Sequence, residues 1–139
     1  MGIFLKDINL KGKTALITGA TKGLGRGAAQ AIAEAGGNII AVGRNQTELD
    51  SLAVIIKKLK VKYISFNCDV NNYNLMKEFI TKLKNLDILV NNAGTNIPES
   101  FLDVKESSME TILNVNTKAV FNIAQLCANQ IIKLKRKQG

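Results

Sequence analysis

Leu16-Ile17-Thr18-Gly19-Ala20-Thr21-Lys22-Gly23-Leu24-Gly25 is the stretch whose reading decides the fold. Thr14 to Thr18 is a short apolar run that predicts a strand, and the glycines after it predict a turn opening a helix near Gly23. A strand that enters a helix through such a turn is the phosphate-cradling arrangement of a dinucleotide-binding βαβ unit. Gly19 permits the tight turn, Gly23 lets backbone approach a pyrophosphate, and Gly25 lets helix and strand pack closely. The free N–H groups and the positive dipole end of the helix then face the anion. The spacing is Gly-x-x-x-Gly-x-Gly, not the commoner Gly-x-Gly-x-x-Gly. The strand before it and the helix after it, more than the glycines, carry the argument.

Outward from this turn the chain alternates. The first helix is expected to run to about Ala35, with Leu24, Ala28, Ile32 and Ala35 on one face, and Gly36-Gly37 closes it. Asn38 to Val42 reads as a strand covered on both faces. Asn45 with Glu48 predicts a capping box, followed by a helix to about Lys60 whose inner face is Leu49, Leu52, Ile56 and Leu59. Lys62 to Phe66 is the third strand. Asn71 or Asn72 caps a helix through Lys84, with Leu75, Phe79 and Leu83 inward. Asp87 to Val90 is the fourth strand; a loop containing Pro98 leads to one long helix from about Glu106 to Lys135. Right-handed crossovers turn this alternation into an α/β, Rossmann-like doubly wound parallel sheet of strand order 3-2-1-4, a single domain over residues 1–139.

A hydrophobic content of 46% in 139 residues supports a folded core and argues against disorder. No apolar run reaches the length of a membrane span, and Met1 to Lys13 has no cleavable apolar region. Met1-Gly2 lacks the downstream Ser or Thr of a myristoylation signal, since Lys6 stands there. The expectation is a cytoplasmic protein without a membrane partner. Cys68 and Cys127 have no metal-ligand spacing and read as reduced, semi-buried thiols; no metal site is expected. The absence of histidine removes the commonest general base, leaving Tyr, Lys and carboxylates for proton transfer. A net charge of +8 suits an anionic ligand. The basic residues are scattered without interleaved aromatics, and Lys133 to Lys137 reads as a solvated helix end, so no nucleic-acid partner is expected.

Taken together, the glycine turn, Cys68-Asp69-Val70, Leu89-Val90-Asn91-Asn92-Ala93-Gly94 and Asn114-Val115-Asn116 resemble the short-chain dehydrogenase/reductase family over the entire chain. Among its members the chain looks most like acyl-carrier-protein ketoreductases and sugar-acid dehydrogenases. The resemblance implies an oxidoreductase that interconverts a small-molecule carbonyl and a secondary alcohol by hydride transfer. Candidate cofactor contacts are Gly19, Ala20, Thr21, Lys22, Gly23, Leu24, Gly25, Arg44, Asn45, Asp69, Val70, Asn91, Asn92, Ala93 and Gly94. The residue matching Asp69 accepts a hydrogen bond from the adenine amino group, with the backbone of Val70 beside it. Asn116 matches the family's active-site Asn, which bends the helix and holds a water linking the catalytic Lys to solvent. Gly43-Arg44 follows the second strand with no acid there, and Lys22 adds a second cation. Two cations near the ribose favour a 2′-phosphate, hence NADP over NAD.

The family's remaining catalytic groups are a Ser and a Tyr-x-x-x-Lys pair that follow a fifth strand. They are expected beyond the point where this sequence stops, so that the chain is a cofactor-binding half with Lys133 to Gly139 approaching that strand. Tyr73 and Lys77 match the spacing but precede Asn91, on the wrong helix; Tyr63 has no such Lys. A chain of this extent leaves an apolar sheet edge at Asp87 to Val90. Family members pair through the long helix, which implies a homo-oligomer in the full-length form and part exposure of Val120, Ile123 and Cys127 in a monomer. The alternative to an enzyme is a non-catalytic dinucleotide-binding module.

Overall fold

The computed structural model describes residues 8–136. The leader and myristoylation expectations at Met1 to Asp7 lie outside the described residues. Of the expected approach to a fifth strand, Lys133 to Arg136 are still helical and the remainder lies outside the described residues. Within them the chain runs β1 (Thr14–Thr18), α1 (Gly23–Glu34), β2 (Asn38–Gly43), α2 (Gln46–Lys58), β3 (Tyr63–Asn67), α3 (Tyr73–Thr81) and β4 (Ile88–Val90). A 3-10 turn at Phe101–Asp103, α4 (Glu106–Leu113), a π-helical segment (Asn114–Ala119) and α5 (Val120–Arg136) complete it. The four strands are parallel, in the order β3-β2-β1-β4.

Side chains alternate across a strand, so β1 and β2 divide their residues between two apolar layers. Ala15, Ile17, Ile39 and Ala41 pack under α1 and α2 with Leu49, Leu52 and Ile56. Leu16, Ile40 and Val42 point the other way, onto Met76 and Ile80 of α3 and Ile123, Leu126 and Cys127 of α5. Each fully buried Leu or Ile contributes about 1.5–3 kcal/mol, and both layers hold several with no exposed surface.

Helix faces depart from the sequence reading in a consistent way. On α1 the buried face is Gly25, Ala29 and Ala33, while Leu24 is 86% exposed. On α3 it is Met76 and Ile80, with Phe79 and, just past its end, Leu83 half-buried against the same layer as expected, while Leu75 is exposed. Leu59 ends α2 half-exposed at the cap position. The expected long helix is interrupted by the π segment, which shifts the inward face of α5. Ile123 and Cys127 are buried in the layer shared with α3, Val120 is half-buried, and Phe121 is exposed. The expected exposure of Ile123 and Cys127 is therefore corrected. Among the described residues β4 is an edge strand, bonded only to β1.

The helix starts follow local chemistry. The Asn45 side chain accepts from the Glu48 N–H at 3.1 Å, and Asn72 accepts from Leu75 N–H at 3.1 Å. Only half of the expected capping box forms, because the Glu48 carboxylate turns to Lys22, 3.0 Å away.

Candidate functional site

Three loops leave the carboxyl ends of β1, β2 and β4 and meet the one after β3 around a cleft of about 520 Å³. That volume is in the range of small-molecule and cofactor pockets. Gly19, Thr21, Lys22, Gly23, Arg44, Asn45, Asp69, Val70, Asn92, Ala93 and Gly94 of the sequence candidates line it. Ala20, Leu24, Gly25, Asn91 and Asn116 do not. Ala20 is buried in the core and Leu24 points to solvent.

Gly25 sits beneath the cleft floor. A Cβ there would collide with the Gly19 carbonyl and the Asn92 carboxamide, so only hydrogen lets α1 seat against the turn. Gly19 is in the left-handed region at φ +63°, and a Cβ on it would lie 2.9 Å from Asn92 Nδ2 and 3.0 Å from Ala93 Cα. The Asn92 carboxamide donates to the carbonyls of Thr18 and Gly19, both at 3.1 Å. In return the Thr18 hydroxyl accepts from the Asn92 N–H at 3.1 Å and the Ala93 N–H at 3.0 Å. These four bonds fasten the end of β4 to the glycine turn. Asn91 turns the opposite way and donates to the Val120 carbonyl at 3.2 Å, tying β4 to α5. Asn92 thus ties two neighbouring strands and Asn91 ties a strand to a helix; the acceptor role of Thr18 had no signal in a lone strand-end threonine.

At the start of α1, Lys22 supplies no side-chain cap and the first turn has no acid. The first-turn amides beside Gly23 therefore have neither an intrahelical acceptor nor a capping carboxylate. Arg26 holds the turn from behind, donating to the Thr21 carbonyl at 3.2 Å and to Ser51 Oγ at 2.8 Å, a link between α1 and α2 that the sequence did not suggest.

Charge on the cleft rim is paired. Lys22 Nζ lies 3.0 Å from Glu48 Oε1, and Arg44 Nη1 lies 4.0 Å from Asp69 Oδ2. The hydrogen bond from Lys22, aided by one from Thr21, holds the Glu48 carboxyl below the usual carboxylate range. Burial, with Asp69 adding to it, pushes the Cys68 thiol up, so it stays protonated at neutral pH. Burial alone raises Cys127 to about 12.

Asn116 lies in the π segment. Its carboxamide accepts from the Thr95 N–H at 2.8 Å and donates to the Thr95 carbonyl at 2.9 Å, which pins the loop after Gly94 against the helix. Asn114 faces elsewhere, into a smaller groove with Tyr73 and Lys118. Tyr73 and Lys77 stand at the start of α3 and neither lines the larger cleft; Lys77 Nζ lies 6.0 Å from the Tyr73 ring centre. Tyr63 donates its hydroxyl to the Leu49 carbonyl at 2.8 Å, and burial raises it to about 12. Among the described residues no His, Cys, Asp and Glu cluster suits a metal ion, and no helix is long and apolar enough to cross a membrane.

A parallel sheet with a glycine turn and cleft at its carboxyl rim is the architecture of nucleotide-binding α/β proteins. The sequence profile described as short chain dehydrogenase matches residues 13–139, and the chain belongs to this family of NAD(P)-dependent oxidoreductases. It is 34% identical over 135 residues to 2-dehydro-3-deoxy-D-gluconate 5-dehydrogenase of Dickeya dadantii, covering 94% of this chain and 53% of that protein. Similarity to 3-oxoacyl-acyl-carrier-protein reductase of Thermotoga maritima is 33% over 130 residues, covering 91% of this chain and 53% of the relative. The structure of a short-chain dehydrogenase from Sphingobium yanoikuyae in complex with NADPH superposes with a TM-score of 0.81 at 26% identity, over 87% of this chain and 49% of that one. The chain thus spans about half the length of the curated relatives it matches.

Proposed function

We propose that this chain is the NADP(H)-binding portion of an oxidoreductase that interconverts a carbonyl and a secondary alcohol. The observation that carries the reading is the uncapped start of α1 at the cleft, held against β4 by Asn92 and Thr18. The amides near Gly23 hold the pyrophosphate, and the turn residues Gly19 to Leu24 shape its seat, with Gly25 keeping the helix close. Asp69 takes the adenine amino group, and the Val70 backbone lies beside the ring. Arg44, with Asn45 next to it, and Lys22 meet a 2′-phosphate, since no carboxylate ends β2 to claim the ribose hydroxyls. Ala93 and Gly94 keep the nicotinamide side of the cleft narrow, with Asn92 bonded to the glycine turn and Asn91 holding the end of β4 to α5. When bound, the dinucleotide carries the hydride.

Asn116 acts through position: it fixes Thr95 at the mouth of the cleft, and the π segment around it leaves main-chain groups to hold a water on a proton path. The Ser and Tyr-x-x-x-Lys groups of the family belong to a segment that this chain does not supply, so the chain alone binds cofactor without turning over substrate. The whole protein is a homo-oligomer acting on a small molecule. Calorimetric titration of the folded chain tests the reading: saturable NADPH binding, tighter than NADH, is expected. Absence of heat with either dinucleotide would remove it, and carbonyl reduction by the chain alone would overturn the division of labour.

A further inference from the structure

We propose that Glu48 is a cofactor-specificity residue: it engages Lys22 across the cleft, so a 2′-phosphate has to take that cation from a carboxylate. The inference rests on the reading above that the cleft takes NADP(H) or NAD(H).

Glu48 is held where it is by its backbone. Its N–H donates to Asn45 Oδ1 at 3.1 Å, and its carbonyl accepts from Arg26 Nη1 at 3.4 Å. The side chain, 26% exposed, then lines the cleft beside Lys22, which is 77% exposed and rides on the glycine turn. The carboxylate is the anchored partner and the ammonium the mobile one. Arg44 differs: its contact with Asp69 spans 4.0 Å, with no hydrogen bond between the two side chains, so the guanidinium is free to reorient. The two cations of this rim are thus matched by two carboxylates, and only Lys22 is closely engaged.

A solvent-exposed pair is weak, and a phosphate dianion carries more charge than a carboxylate, so the ligand wins Lys22. It does so with Glu48 left beside it as a like charge. A ligand that ends in a ribose hydroxyl meets neither effect. Glu48 therefore lowers affinity for the 2′-phosphorylated dinucleotide and leaves the other unchanged, narrowing the preference between them. Removing its charge at constant shape widens the preference.

The experiment is titration of the chain and its Glu48→Gln, Lys22→Ala and doubly substituted variants with NADPH and with NADH, with thermal melts to verify folding. Glu48→Gln should tighten NADPH about three- to tenfold and leave NADH within about twofold, a size set by exposed charge pairs at moderate salt. On the Lys22→Ala background the gain from Glu48→Gln should shrink, because no cation is left to release. Unchanged or weaker NADPH binding in Glu48→Gln, an equal shift for both dinucleotides, or a full gain without Lys22 would each overturn the proposal while sparing cofactor binding. Failure of every folded variant to bind either dinucleotide would overturn both.

Discussion

At the carboxyl ends of the strands, backbone meets backbone around Gly19, Gly25 and Asn92, and the Lys22–Glu48 and Arg44–Asp69 pairs balance the charge of the rim. At the amino ends the helices close and the strands begin, and there Lys11, Lys13, Lys57, Lys58, Lys60, Lys62, Lys82, Lys84, Lys133 and Lys135 stand exposed. The carboxylates at that end are fewer: Glu78 is paired with Lys82, Asp87 is committed to the Thr14 N–H at 2.9 Å and to Lys13 at 3.5 Å, and Glu34 ends α1. The net charge of +8 thus does not collect at the cleft. Lysines at helix C-termini oppose the negative dipole ends. Recognition at the cleft is left to close approach and to a few positioned groups, so changes at the two rims should differ in kind.

The largest contrast is expected between glycines. Gly25→Ala forces a methyl into the Gly19 carbonyl and Asn92, and should lower stability by about 2–3 kcal/mol while abolishing NADPH binding. Gly12, unlike Gly25, is in the left-handed region, at φ +81°, but has open space around it; Gly12→Ala should lose only about 1 kcal/mol and keep full affinity. Urea denaturation of both variants and NADPH titration decide the matter. Equal losses would mean that the cleft rim is no more tightly built than the other.

Next comes Thr18→Val, which keeps shape and removes the hydroxyl that accepts from Asn92 and Ala93. At a site only 1% exposed, stranding two donors should cost about 2 kcal/mol. A melt indistinguishable from the parent would show that the lock is dispensable.

Charge changes should be smaller in stability and selective in binding. Arg44→Ala should weaken NADPH about tenfold relative to NADH. Replacing Lys57, Lys58 and Lys60 together with Gln should leave NADPH within about twofold at 0.15 M salt, where the Debye length is about 8 Å. A strong effect of the triple variant would return the net charge to a steering role.

The smallest effect is in pH. Glu48 beside Lys22 and Glu78 beside Lys82 both have carboxyls held below the ordinary value of 4.5, each chiefly by the hydrogen bond from its lysine. A depressed folded-state value stabilises the chain above 4.5, and that share is lost as pH falls below it. Glu78 is exposed, Glu48 is half-buried, and both lysine partners are exposed, so melting temperature should fall only slightly over that interval. Lys22→Ala should reduce the contribution of Glu48, which Thr21 and Arg26 also support, and leave that of Glu78, while Lys82→Ala should remove that of Glu78.

Much of the architecture was legible from local signals. The strand before Gly19, the run Asn38 to Val42, the Asn45 cap and the alternation of elements depend on neighbours a few residues apart, and each stands where the periodicity placed it. The inward faces of α1 and α3 were less so. Each helix carries two plausible apolar stripes, and the sheet selects the one that lets the helix sit closest, Gly25-Ala29-Ala33 and Met76-Ile80. The glycine turn marked Gly19 to Gly23, and the family resemblance marked Asp69, Val70 and Asn92 to Gly94 of the cleft lining, but nothing marked Glu48, whose Asn45-x-x-Glu48 pattern read as a cap.

What the sequence by itself determined is the order of elements and the glycine turn, because backbone sterics and hydrogen-bond periodicity act along the chain. Only the tertiary structure decided that Asn92 and Thr18, 74 residues apart, lock the turn, that Asn116 grips Thr95, and that Lys22 leans on Glu48. Those contacts depend on distances across the sheet, which parallel crossovers set and no local pattern encodes.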